Sequence, residues 1–486
     1  MGGPAGTDQH SDIGPVLVCV GLIAITLTWA IHRRLRAAAL QEAQPPPSSL
    51  YVNVKDCGVR GDGKTDDTVA IQAVLSIYSA KGTAIFFPAG TYILSRTIKL
   101  PVLPLSIIGA GMESTELVWV GTAMAGADGM SFVEPPTPGG LGAHSYDSVE
   151  HMFVMRSLTL RAVPAGLHID GSAVTGGAAL RLYWAAPVAG VSPTADICEV
   201  KFDCQRLCDD PVKNSPVMAG GWQYGMHLTR ANDAVIDRCY FRGNTSSDQA
   251  KQGITHGIHI ETGDYACGFN VNGCKLYDWA VAVYDTNVPA PQPLGGMNNL
   301  VVSNCFIAMC GIGIQVVNIS PYAGEAMQFI GNQIDCASHG VWSECGAQVI
   351  GNFFYEHQYL WAEAPVPFCK PTAFIRFSSP AAVKPPSVTG IVCSGNALRA
   401  NPAQSKQGPI DGIVLDEGVR DAVVTSNRVN GCAKAVWCKP GTEGILVQGN
   451  VLAKGMHKSG VPVVDQGTGN LVTGNLPATK SEPSPP

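Results

Sequence analysis

The chain predicts an all-β solenoid, and three features carry that expectation. The first is a short pattern that returns seven times: an apolar residue, a spacer, Gly or Ser, then Asn, any residue, and usually another apolar one. Its asparagines are Asn304, Asn332, Asn352, Asn396, Asn427, Asn450 and Asn475, spaced 28, 20, 44, 31, 23 and 25 residues apart. A unit recurring at roughly 20 to 50 residues marks a stack in which each copy covers its neighbour's apolar face. The second is that these units are short apolar stretches broken by Gly and Asn, which makes the stack strand-built rather than helical. Asn tolerates left-handed backbone and bonds locally, so a column of Asn at one turn is physically sensible. The third is composition: 55 Gly, 34 Pro and only 14% charged residues among 486 fit strands and turns and exclude a disordered chain. A repeat architecture can use this whole length in one elongated domain.

Taken in order, residues 1–12 form a polar tail and residues 13–31 an apolar run of 19 without a charge, long enough to span a bilayer. The tail lacks the Lys or Arg that opens a cleaved signal peptide, so the run reads as an uncleaved single-pass anchor. Arg33, Arg34 and Arg36 behind it place the large domain in the cytosol by the positive-inside rule. Two glycosylation sequons, at Asn244 and Asn318, favour the outside. The expectation is an extracellular or luminal domain, since long domains translocate despite flanking charge. Residues 32–50 are a linker ending in Pro45-Pro46-Pro47-Ser48-Ser49, residues 51–477 the solenoid, and residues 478–486 a tail. A net charge of −6 without a basic block beyond the membrane flank argues against nucleic acid as a partner. No CxxC pair occurs among the 16 Cys, so spacing gives a zinc site no support. Cys239, Cys274 and Cys305 fall at one place in successive units, which predicts a stacked internal column; strands about 4.8 Å apart are within reach of a disulfide, and buried free thiols are the favoured reading.

The solenoid opens with a strand, a Gly-rich turn, Asp67 as N-cap and an amphipathic helix with Val69, Ala70, Ala73 and Val74 on one face. Such a helix shields the open end of a stack. The run from Asn53 to Gln72, followed by Phe87-Pro88-Ala89-Gly90-Thr91-Tyr92, closely resembles the amino-terminal signature of the pectate-lyase superfamily domain. That resemblance implies a right-handed, single-stranded parallel β-helix with an N-terminal capping helix, a fold shared by polygalacturonase-like hydrolases, other polysaccharide-cleaving enzymes and phage tailspikes. These residues cap the fold and do no chemistry, so Asp62, Asp66 and Asp67 are expected to serve turns and caps.

Chemistry is expected on a second ladder of strands, in which first and third positions are aliphatic and point inward while second and fourth face out. Two outward columns result: Arg181, His227, His259, Ala282, Gln315, Trp342, Trp361, Val414 and Trp437, beside Tyr183, Thr229, Glu261, Tyr284, Val317, Glu344, Glu363, Asp416 and Lys439. Imidazoles, carboxylates and indoles on one rigid sheet are what carbohydrate cleavage uses: groups that move protons and flat faces that stack on sugars. Glu261, Asp285, Glu344 and Glu363 are the candidate acid, base or nucleophile, with His227 and His259 orienting groups or shuttling protons. Trp342, Trp361, Tyr284, Arg181 and Tyr183 are candidate sugar contacts. Glu344 and Glu363 on neighbouring rungs would lie roughly 5 Å apart, the spacing of a retaining pair. Glu261 and Glu344 would lie roughly 14 Å apart, with Asp285 between them. Gly/Pro-rich insertions at 120–150, 186–194, 286–297, 364–371 and 379–388 are expected as loops flanking this stripe.

Polygalacturonases carry Asn-Thr-Asp, Asp-Asp, Gly-His-Gly and Arg-Ile-Lys in order. This chain offers Cys208-Asp209-Asp210 and Thr255-His256-Gly257, with nothing for the first and last, so no polygalacturonase role is carried over. Pectate lyases use Ca²⁺ held by Asp with an Arg base. Acidic residues here are of the type that holds Ca²⁺, while Arg181, Arg230 and Arg376 are too scattered to name a base. Carboxylates outnumber cations on the stripe, which favours a neutral or metal-bridged glycan over a bare polyuronate. The expected function is polysaccharide cleavage, by hydrolysis or elimination, through acid/base carboxylate chemistry. The alternative is a non-catalytic glycan-binding adhesin or viral spike.

Overall fold

The computed structural model describes residues 51–476 except 80–82, 102, 121–125, 134–151, 164–174, 185–193, 205–220, 232, 244–254, 263–266, 288–297, 318–326, 357–371, 381–386, 402–408 and 453–460. Among these residues the pairings between named strands are parallel, and the pairing rule is a solenoid's. His256–Thr262, Cys267–Asn272 and Lys275–Tyr277 make one turn of the chain. The next turn lays Val281–Asn287 on the first of them, Asn298–Ser303 on the second and the start of Phe306–Val317 on the third. Three parallel sheets therefore stack along one axis as a parallel β-helix. Alternation does the rest: Ile258, Ile260, Val271 and Leu276 turn inward and are fully buried.

The first turn contains the helix Thr68–Tyr78. Its buried face is Ile71, Val74, Leu75 and Tyr78, whereas Val69 is 64% exposed and Ala73 faces solvent. The buried face differs from the expected Val69, Ala70, Ala73 and Val74 because Ile71, Val74, Leu75 and Tyr78 fall at the i, i+3, i+4, i+7 spacing of one helical stripe. Asp67 precedes the helix without capping it, and its two oxygens accept the backbone N–H groups of Arg60 and Gly61 at 2.8 Å. Asp62 accepts from Lys64 N and Thr65 N, and Asp66 from Thr68 N. All three carboxylates serve turns.

Inside the stack, Asn332, Asn352, Asn396, Asn427, Asn450 and Asn475 form a buried amide ladder. Each Nδ2 donates to the next Oδ1 at 2.8–3.0 Å. Asn304 is not its seventh member. It sits at the left-handed turn position, φ 54°, that Gly331, Gly351 and Gly395 fill at 66°. The ladder position on that rung belongs to Cys305, whose N–H donates to Asn332 Oδ1 at 2.9 Å. Cys239 and Cys274 continue the column upward. The thiols of Cys239, Cys274 and Cys305 reach Ile197 O, Ile236 O and Val271 O on the preceding rung, as Asn332 Nδ2 reaches Val302 O. The expected cysteine column and asparagine column are one column, and its cysteines are free thiols.

The apolar run at 13–31 lies outside the described residues, and no described helix is long and apolar enough to cross a membrane. The expectation of a membrane-anchored domain placed outside the cell is therefore withdrawn. The five Gly/Pro-rich insertions also lie largely outside the described residues.

Candidate active site on the outward stripe

The stripe exists, with corrected register. Arg181 pairs with His227, His227 with His259, His259 with Tyr284, Tyr284 with Gln315, Gln315 with Trp342 and Trp342 with Arg376. Val283–Thr286, not Val281–Tyr284, is thus the rung that follows Ile258–Glu261. The two-residue shift moves Tyr284 into the His column, and Asp285 takes the inward third position beside Ile260, where it is 1% exposed. Burial pushes the Asp285 carboxyl well above the usual carboxylate range. Asp285 bridges nothing on the stripe. Ile375–Phe377 is the rung beside Val341–Ser343, so Arg376 takes the place expected for Trp361 and Ser378 follows where Glu363 was expected. Glu363 and Trp361 themselves lie outside the described residues. Glu344 stands three rungs from Glu261, roughly 14 Å, as expected.

What converges is an imidazole cluster around one carboxylate. Glu261 Oε1 lies 3.2 Å from His227 Nε2 and 3.5 Å from His259 Nε2, and Thr229 Oγ1 donates to Glu261 Oε2 at 3.1 Å. The His227 and His259 rings stack with centroids 4.4 Å apart. His256 enters from one turn of strand earlier: its Nδ1 lies 3.0 Å from His259 Nδ1, and its ring stacks on Tyr284 at 4.4 Å. Tyr224 closes the other side, 4.9 Å from His259 edge to face. Arg181 donates through Nη1 to His227 Nδ1 and through Nε to Asp128 Oδ2 at 2.7 Å. Tyr183 stands at the margin and accepts from Arg230 Nη1 at 3.4 Å.

Donor counting fixes the protons. A guanidinium only donates, so His227 Nδ1 accepts and the ring's proton sits on Nε2, facing Glu261. His227 accordingly holds the Glu261 carboxyl below its usual range, ahead of the opposing effect of burial. Burial pushes His256 down to about 3 and His259 further down, so both rings are neutral at neutral pH. Burial raises the Tyr224 and Tyr284 phenols, which keep their protons. The site is the ionised Glu261 carboxylate, the two neutral imidazoles of His256 and His259, the His227 ring set between Glu261 and Arg181, and two phenols. Among the described residues, His227, His259 and Glu261 are also the group whose ligand atoms, all within 4.8 Å of one another, could hold a metal ion.

Sequence reasoning missed His256, Tyr224 and Asp128. The signal for His256 was Thr255-His256-Gly257-Ile258-His259, which sets a second imidazole three residues before His259 on the same strand. Tyr224 occupies the same place on the preceding rung. Trp342, an expected sugar platform, has His339 stacked on its ring at 5.1 Å and the Arg376 guanidinium over it at 5.4 Å.

Three parallel sheets around a buried ladder, with an outward stripe of polar and aromatic side chains, define a parallel β-helix protein. Residues 51–153 match the family model described as rhamnogalacturonase A/epimerase, pectate lyase-like, and the chain carries a pectate-lyase-like domain. Similar curated proteins include a probable glucan endo-1,3-β-glucosidase of Arthroderma benhamiae, 50% identical over 54 residues, which are 10% of this chain and 6% of that protein. A mannuronan C5-epimerase of Azotobacter vinelandii is 45% identical over 73 residues, 13% of this chain and 7% of that protein. The chain thus spans only a small part of the curated relatives it matches. Among solved structures, the catalytic domain of a GH87 α-1,3-glucanase in complex with nigerose aligns over 89% of this chain and 70% of its own with TM-score 0.53 and 11% identity.

Proposed function

We propose that the protein acts on a polyuronate by moving a proton at the sugar carbon next to the carboxylate, giving elimination or inversion at that carbon rather than hydrolysis. The observation that carries this reading is that, among the described residues, the matching positions on the rungs either side of Glu261 are Thr229 and Thr286, so no second carboxylate stands at the adjacent-rung spacing of a retaining glycosidase pair. Proton abstraction at carbon needs a positioned base, an acid and a cation near the substrate carboxylate. An imidazole backed by Glu261, the Tyr224 or Tyr284 phenol, and Arg181 are the groups available. The carboxylate excess expected on the stripe shrinks, because Arg376 and Lys434 join it, each paired with an aspartate, Asp416 and Asp411. The likeness to a mannuronan C5-epimerase supports the same choice, while the family description names a rhamnogalacturonase beside an epimerase and does not decide between the reactions.

The test is incubation of the full chain in D₂O with mannuronan, polygalacturonate and a neutral β-1,3-glucan. Ultraviolet-absorbing unsaturated ends, or deuterium at C5 without cleavage, are expected with a polyuronate. New reducing ends without absorbance would overturn the reading in favour of hydrolysis. Binding without any reaction would favour the adhesin alternative.

A further inference from the structure

We propose that His227, His259 and Glu261 form a binding site for a first-row divalent transition metal of the Zn²⁺ class. The argument is geometric. His227 and His259 are 7% and 6% exposed, and neither Nε2 meets hydrogen-bond geometry with any acceptor. Both nevertheless converge on one oxygen, at 3.2 and 3.5 Å from Glu261 Oε1. Ligands about 2.0–2.1 Å from a tetrahedral Zn²⁺ stand about 3.3 Å from one another, so these two separations are already those of adjacent ligands around such an ion. The supports that metal sites need are present. Thr229 Oγ1 holds the second oxygen of Glu261, His256 Nδ1 holds the far side of His259, and all three ligands stand on adjacent strands of one sheet. Two imidazoles with one carboxylate suit Zn²⁺ and its neighbours and are wrong for Ca²⁺, which takes six to eight oxygens. Three protein ligands leave a fourth position for water or an oxygen ligand.

One group opposes the ion. Arg181 donates to His227 Nδ1 and so keeps a proton on the Nε2 that the metal needs. The guanidinium also sets a fixed positive charge against the ring of a ligand, and Arg181 thereby weakens the site for a cation. A glutamine at this position could accept from Nδ1 instead and would favour the metal. This predicts a tighter site on losing a residue of the same cluster, which a purely structural role for Arg181 would not give.

The experiment is calorimetric titration of the chelator-treated full chain with Zn²⁺, without any sugar, followed by X-ray absorption at the zinc edge. The expected result is one ion per chain with nitrogen and oxygen neighbours at about 2.0–2.1 Å. Affinity should fall at least about tenfold in Glu261→Gln and His259→Ala and by a smaller factor in Thr229→Val, as metal sites lose on removing a ligand or its support. Arg181→Gln should bind more tightly than the wild type. Circular dichroism identifies any variant that fails to fold, and Glu261→Gln is the near-isosteric control. Absence of stoichiometric binding, sulfur neighbours at about 2.3 Å, or equal affinity in the wild type and Glu261→Gln would each overturn the site. Because no substrate is present, metal binding in a chain inert on every polyuronate would leave this inference standing and sink only the proposed reaction.

Discussion

The two halves of the solenoid differ both inside and out. Rungs through Cys239, Cys274 and Cys305 carry thiols at the ladder position, and over them lie His227, His259, Glu261 and Tyr284. Rungs from Asn332 onward carry the amide ladder, and over them lie Trp342, Arg376, Asp416 and Trp437. Both halves use the same device on the stripe: an arginine whose Nε donates to an aspartate Oδ2 at 2.7 Å, Arg181 to Asp128 above and Arg376 to Asp416 below. What differs is the neighbour. Above, the guanidinium rests on an imidazole whose other nitrogen faces a carboxylate. Below, it lies over the Trp342 indole, whose Nε1 donates to Ser378 Oγ at 2.8 Å, and Asp416 is further held by Lys439 Nζ at 2.5 Å. Reactive potential on this stripe follows from which side chains stack on consecutive rungs, and the density of carboxylates and tryptophans does not report it.

Activity should break along the same line. Glu261→Gln and His259→Gln are expected to lower turnover by at least about a hundredfold, the usual contribution of positioned acid/base groups. Glu344→Gln and Arg376→Ala, in the lower half, should leave turnover nearly unchanged while affecting affinity for long oligomers. Steady-state kinetics on the responding polyuronate decides it. An equal loss in Glu344→Gln would mean that the catalytic centre spans both halves.

Acid should weaken both halves through buried histidines. His256 above and His339 below are each pushed down to about 3 by burial. A histidine whose folded value lies below its unfolded value of 6.5 contributes stability that is complete above that pH and is lost as pH falls toward 3, because only the unfolded chain takes the proton. At pH 5, roughly 1.5 units below the unfolded value, the loss is about 2 kcal/mol for each such ring. The depressed Glu261 carboxyl acts with the same sign at lower pH, once its own protonation begins. Thermal unfolding between pH 7 and pH 5 should show a falling midpoint, and His339→Gln should flatten that slope. An unchanged slope would mean that His339 takes up its proton without unfolding.

Much of the fold was legible in the sequence because a solenoid writes its period into the chain. The Asn spacing, the inward aliphatics at Ile258, Ile260, Ile314 and Val316, and the outward His227, His259 and Glu261 follow from period-two alternation alone. Two of the differences on the ladders are slips of register: rungs of unequal length hide the pairing, and a slip of one residue exchanges inside for outside while a slip of two moves a side chain along its own face. A one-residue slip put Asn304 into the ladder in place of Cys305. A two-residue slip left Tyr284 one column from its true position, while Asp285 is inward by alternation under either alignment. His256 stayed invisible because side chains three apart on a strand are expected on opposite faces, so alternation does not foresee its contact with His259.

The smallest expected effects test whether the ladder is one column. Asn396 donates to Val349 O and Asn427 Oδ1 and accepts from Asn352 N and Nδ2. Asn396→Ala leaves these buried groups without partners and should cost about 2 kcal/mol. Cys305→Ala removes a weak thiol bond and some packing and should cost about 1 kcal/mol. Cys305→Asn is the informative case. The new amide would find Val271 O, now met by the thiol, and Asn332 Oδ1, already accepting the Cys305 N–H, in the places that serve every asparagine below. Chemical denaturation should find Cys305→Asn at least as stable as the wild type. A loss as large as that of Asn396→Ala would show that thiol and amide rungs are built to different internal geometries, and that the contrast between the halves begins in the core.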